Sequence, residues 1–247
     1  MRFIKNLSLE VVIGAVLYQF FLYDVFFHSF PRYTEGLLLA LVVWFLYLLD
    51  RQVDNIFQPL QDDRHHFHFK YQKLFWVFIS LLGLSILCLL PFQSLAVIQA
   101  GFSVLILVFG YAYTWHKGWL QREKELFTAI LYGLGVTLIV WVREPSALFF
   151  TLPLVAMAYQ NLCYFNLIEA DSVFYRARLK KTEWILIGLL SGLSARTQDL
   201  FIVLPFLVTF GLTFLFSRFS LTEENRFWGD LAFWSPLIYL LHGIFST

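Results

Sequence analysis

Long apolar stretches separated by short polar ones run the length of this chain. A helix rising 1.5 Å per residue needs roughly 20 largely apolar residues to cross the hydrocarbon of a bilayer. Nine segments meet or approach that length: 7–28, 34–50, 74–92, 94–115, 126–142, 147–168, 183–195, 199–217 and 228–246. The seventh is short and weakly apolar. Pro91, Pro145 and Ser194-Ala195-Arg196 fall between segments and mark tight connections, which predicts antiparallel hairpins in one continuous bundle. The expected fold is therefore all-α, a polytopic transmembrane bundle of nine spans forming a single integral membrane domain over residues 1–247. Arg2 and Lys5 before the first apolar run imitate a secretory signal. Glu10 and Asp24 interrupt that run, however, and no small-residue cleavage site follows, so it is expected to be a retained first span.

The charges sharpen this picture. With the amino terminus inside, the inside segments hold Arg2 and Lys5, then Arg51, Arg64, Lys70 and Lys73, then Lys117, Arg122 and Lys124, then Arg176, Arg178, Lys180 and Lys181, and last Arg218 and Arg226. Those are fifteen of the 18 Lys and Arg; only Arg32, Arg143 and Arg196 fall outside. Such asymmetry follows the positive-inside rule, and losing one span would reverse every later loop. It predicts an odd number of spans, a cytoplasmic amino terminus and an outside carboxyl terminus, as in a bacterial inner membrane.

Composition agrees, with 59% hydrophobic and 14% charged residues and a mean hydropathy of +0.68. Aromatic residues make up 20% of the chain and suit packing between helices or anchoring at the lipid interface. A net charge of +1 provides no general attraction to nucleic acid. Cys88 and Cys163 sit in separate apolar runs, as small hydrophobes do.

Candidate chemistry gathers at the predicted inside ends. Asp50 and Asp54 stand four apart on one helix face, following Tyr47. Two carboxylates so placed either mark where a helix meets water, with Arg51 screening them, or hold a hard cation such as Mg²⁺, which uses one or two carboxylates and completes its shell with water and phosphate. A second cluster, Asn161, Asn166, Glu169 and Asp171, ends the sixth segment; Asn161 and Glu169 share a face two turns apart. Amides this deep in an apolar segment serve either interhelical hydrogen bonding or ligand binding. Basic stretches follow each cluster, Arg64 to Lys73 and Arg176 to Lys181, and Lys117 lies just inside the fourth segment. Positive-inside topology explains these cations, as does neutralisation of a departing phosphate. Arg64-His65-His66-Phe67-His68 lacks metal-site spacing and is expected to be an interfacial loop. Gly133-Leu134-Gly135 fits close helix packing.

Two acidic motifs at the inner ends of the second and sixth of nine segments, each followed by a basic loop, resemble the UbiA superfamily of intramembrane prenyltransferases. The layout covers nearly the whole chain. The family's first motif, Asn-Asp-x-x-Asp-x-x-x-Asp, reads Leu46-Tyr47-Leu48-Leu49-Asp50-Arg51-Gln52-Val53-Asp54 here, keeping the last two aspartates and lacking the leading Asn-Asp. The second motif is reduced to Glu169 and Asp171 behind Asn161 and Asn166. The resemblance implies an isoprenyl diphosphate held through Mg²⁺ by Asp50, Asp54 and Asp171, with Glu169 completing the catalytic acids. Arg64, Lys117, Lys181, Asn161, Asn166 and Tyr47 would bind substrate, and the prenyl group would pass to a lipophilic, often aromatic, acceptor in the presence of membrane lipid. A related terpene cyclase, with Trp44, Tyr47 and Tyr164 facing the cation, would use the same layout. A non-catalytic binding protein or transporter, with the acids lining a vestibule, is the competing expectation. Clear internal repeats and broken helices, its usual marks, are not evident in the sequence.

Overall fold

A computed structural model describes residues 7–57, 63–116, 123–170, 173–219 and 223–245; at some helix ends, residues 54–57, 63–66, 115–116, 169–170, 219, 223–226 and 243–245, only the backbone is described. Among the described residues every regular element is helical. The α-helices are α1 Leu9–Phe27, α2 Tyr33–Phe57, α3 Asp63–Lys70, α4 Gln72–Leu89, α5 Leu95–His116, α6 Lys124–Trp141, α7 Leu148–Ala170, α8 Val173–Thr197, α9 Leu200–Phe219, α10 Glu223–Leu231 and α11 Pro236–Phe245. Seven stretches, covering α1, α2, α4, α5, α6, α7 and α9, are long and apolar enough to cross a membrane. The chain thus has the character of an integral membrane protein.

The two remaining expected spans take different forms. The apolar stretch 183–195 is the second half of α8, a 25-residue helix whose first turns carry Arg176, Arg178, Lys180 and Lys181. The helix continues through Ser194-Ala195-Arg196, where a connection was expected; the turn comes at Gln198, whose φ of 53° is left-handed, and Asp199 then caps α9 by accepting the Phe201 N–H at 2.8 Å. The stretch 228–246 is broken into α10, a 3₁₀ turn at Ala232–Trp234, and α11 beginning at Pro236. The histidine-rich run expected as a loop is the helix α3 instead, with acidic Asp63 at its start and Lys70 at its end, matching the helix dipole. His68 there is buried and lies 4.2 Å from the Phe75 ring.

α1 is hydrophobic on all sides, as a central helix must be, and it packs on α2, α6, α10, the 3₁₀ turn and α11. Ala15, Tyr18, Phe21 and Leu22 are wholly buried along it. Around this axis α6, α7, α8 and α9 follow as antiparallel neighbours, each packing on the next. Gly133 lets α6 approach α7, because a Cβ there would strike Val155; Gly135 faces open space, so only half of the expected small-residue contact is used. α4 packs on α2 and α5 packs on α6, while α4 and α5 do not lie side by side despite their short connection. These two are the least buried of the seven apolar helices, and Leu81, Leu84, Phe102, Ile106 and Phe109 are exposed between and around them.

The break before α11 has an identifiable cause. Pro236 has no N–H to give the Ala232 carbonyl. The Thr209 hydroxyl donates to that carbonyl at 3.0 Å, and Ser235 donates to the Pro205 carbonyl at 2.7 Å. Tyr18 joins them, 2.6 Å from Thr209 Oγ1 and 3.3 Å from Ser235 Oγ. Replacing Thr209 by Val keeps the shape and removes the donor. We expect this to lower stability by ~1–2 kcal/mol, read by denaturant unfolding in detergent; unchanged stability would show that the clamp is dispensable.

Candidate functional site

Ion pairs sort the helix termini into two ends. At one, Arg143 after α6 meets Glu35 in the first turn of α2 and donates to the Tyr23 hydroxyl. At the other, Lys124 meets Asp50 at 3.2 Å, Arg178 meets Glu123, and Arg218 meets Glu183 at 2.8 Å. Asp50, Asn166 and the start of α8 therefore share one end of the bundle.

The first three residues around the start of α6 connect what the sequence holds apart. Lys124 reaches α2 through Asp50. Glu125 Oε1 accepts from Asn166 Nδ2 on α7 at 2.8 Å and from the Tyr175 hydroxyl on α8 at 3.1 Å. Glu123 holds Arg178, whose guanidinium also lies 4.2 Å from the Phe174 ring centre. Glu123 and Glu125 were not singled out from the sequence, where their signal was only a pair of acids flanking a lysine at a helix start.

The remaining expected residues are distributed as follows. Tyr47 accepts from Arg51 Nε at 3.2 Å and Nη2 at 3.1 Å, which directs this guanidinium along α2. Asn161 donates to Asp230 Oδ1 at 3.2 Å, both buried, so it points into the bundle toward α10 while Asn166 joins Glu125. Gly229 makes room for it, since a Cβ there would come within 2.7 Å of Asn161 Oδ1. Asp230 was missed in the sequence, although an acid in an apolar run is a signal in itself. Lys181 is exposed on α8. Lys117 and Asp171 lie outside the described residues, and of Asp54, Arg64 and Glu169 only the helical backbone is described. Trp44 and Tyr47 belong to one apolar cluster and Tyr164 to another, so these three rings are not brought together.

The Asp50–Lys124 pair is half exposed, with the two side chains at 51% and 24% of full exposure. Screening by water limits such a pair to ~0.2–1 kcal/mol, so a stronger ligand displaces it. Among the described residues, no three His, Cys, Asp or Glu side chains converge as a metal cluster. The donor chemistry nevertheless fits Mg²⁺, which asks the protein for only one or two carboxylates. Asp50 offers one, Asp54 lies one turn on, and Glu125 Oε2 is buried with no hydrogen-bond partner among the described residues. No family model, curated protein or solved structure matches the chain.

Burial pushes the Tyr175 hydroxyl up to about 12, and the neighbouring Glu125 carboxylate adds to the effect. Unfolded tyrosine titrates near ~10, so the folded state holds this proton more tightly. Its contribution to stability is full below pH ~10 and is lost as pH rises toward about 12. The stability difference between wild type and Tyr175→Phe should accordingly be constant up to pH ~10 and shrink above it. Denaturant midpoints taken across pH check this; a difference that persists undiminished to the top of that window would contradict the assignment.

Proposed function

We propose that the chain is a divergent UbiA-like membrane prenyltransferase, which holds an isoprenyl diphosphate at the Asp50 end of its bundle and passes the prenyl group to a lipophilic acceptor. The supporting observation is the meeting of the Asp50 and Asn166 stretches on Glu123-Lys124-Glu125. Two distant polar motifs thereby border one end-on site with cations on its edge. The splayed α4 and α5, with their exposed apolar side chains, suit a prenyl chain reaching into lipid.

In this reading Asp50 and Asp54 hold Mg²⁺, with Glu169 and Asp171 as the acids of the second motif. Bound there, Mg²⁺ neutralises diphosphate charge. Lys124, Arg178 and Lys181, with Arg64 and Lys117, stabilise the negative charge that develops as the allylic C–O bond breaks and its electron pair leaves with diphosphate. The acceptor captures the resulting cation and loses a proton. Tyr47 orients Arg51 beside Asp50, and Asn166 holds Glu125.

Purified wild type should gain thermal stability from Mg²⁺ with an isoprenyl diphosphate, by ligand linkage, and Asp50→Asn and Asp54→Asn should lose the Mg²⁺-dependent part of the gain. No shift with any chain length would sink the enzyme reading. One observation favours a second reading, a non-catalytic transporter or binding subunit: the last segment is broken beside buried Asp230, and broken helices line binding sites in such proteins. It predicts no diphosphate response.

We further propose nine crossings in a bacterial inner membrane, with α8 and the broken α10–α11 segment included, the amino terminus cytoplasmic and the carboxyl terminus outside. The distribution of Lys and Arg supports it. A phosphatase reporter fused after Thr247 should be active and a fluorescent protein fused there dark; the reverse would remove one crossing.

A further inference from the structure

Building on the proposed diphosphate site, we infer that Lys124 is an exchangeable counter-ion: it neutralises Asp50 in the resting protein and transfers to the diphosphate when a divalent cation takes the Asp50 carboxylate. Both flanking neighbours of Lys124 are tied elsewhere, Glu123 to Arg178 and Glu125 to Asn166 and Tyr175. The backbone is held on either side of it. Its own side chain, a flexible four-carbon stem with an ammonium tip, is anchored to a carboxylate that is 51% exposed.

The exchange balances charge. A divalent cation replaces the ammonium at Asp50, and the released ammonium meets the anion that the cation brings. Lys124 also opens α6, where Glu123, the N-cap, makes no side-chain hydrogen bond to the first N–H groups of the helix. Those groups and the positive end of the helix dipole favour an anion at the same place. Arginine, which binds carboxylate through two parallel hydrogen bonds, would release Asp50 less readily than an ammonium does.

The exchange makes opposite predictions for its two ligands when each is titrated alone, using Mg²⁺ without anion and inorganic pyrophosphate without metal. Lys124→Met should bind Mg²⁺ several-fold more tightly than wild type, because Asp50 is vacated, and pyrophosphate about tenfold more weakly, because a charge-assisted hydrogen bond is lost. Asp50→Asn should do the reverse for pyrophosphate, binding it more tightly than wild type in the absence of metal, so the test survives if Lys124→Met does not fold. Calorimetric titration in detergent reads each constant. If wild type responds to farnesyl diphosphate with Mg²⁺ while Lys124→Met matches it for each ligand alone and Asp50→Asn matches it for pyrophosphate alone, the exchange is refuted and the prenyltransferase reading stands. If wild type responds to no diphosphate and Lys124→Met gains no Mg²⁺ affinity, both are refuted.

Discussion

A chain this apolar has little water with which to satisfy its backbone, so every carbonyl freed by a helix break must be given a protein donor. Pro236 cannot donate to the Ala232 carbonyl, which accepts from the Ser235 N–H and the Thr209 hydroxyl instead, while the Ser235 hydroxyl donates to the Pro205 carbonyl and the Tyr18 hydroxyl meets Thr209 Oγ1. That small polar knot joins α1, α9 and the start of α11 at the centre of the bundle. Around it Phe21, Phe206 and Phe233 pack edge-on against the Tyr18 ring. Because α1 packs on α2 and α6 as well as on α10, the 3₁₀ turn and α11, it helps set the position of the broken last segment, and hence of Asp230 against Asn161.

From that axis the helices run to two ends whose ion pairs have different characters. Glu35 is almost wholly buried beneath Arg143, which closes one end as a clasp among α1, α2 and the turn after α6. At the other end the pairs are more open, and the start of α6 serves as a bridge to α2, α7 and α8 together. The carboxylates of Glu35 and Glu183 are buried in their pairs, whereas Asp50 and Glu123 remain partly open to solvent.

Some of the site was legible residue by residue. Asp50 stood out by its spacing from Asp54, and Asn161 and Asn166 because amides in an apolar helix need partners; the structure supplies one for each, Lys124, Asp230 and Glu125. The partners themselves were not legible. Glu123 and Glu125 read as ordinary residues of a helix start, and Asp230 as part of a span, because their importance lies in contacts to α7 and α8 that no local spacing encodes. Tyr164 shows the converse, a ring grouped with Trp44 and Tyr47 by residue type and separated from them by packing.

Composition and apolar periodicity alone determined that this is an all-helical chain with segments long enough to span a membrane, since segment length and hydrophobicity are properties of contiguous residues. They also placed most helix boundaries to within a few residues. Tertiary structure decided the rest: that α8 runs unbroken past its polar start, that Pro236 breaks the final segment, that the histidine-rich run is helical, and that Lys124 rather than a more distant cation meets Asp50. Each depends on which helix lies alongside which. A helix break is tolerated only where a neighbour's hydroxyl reaches the freed carbonyl, and an ion pair forms only where two helix ends are brought level.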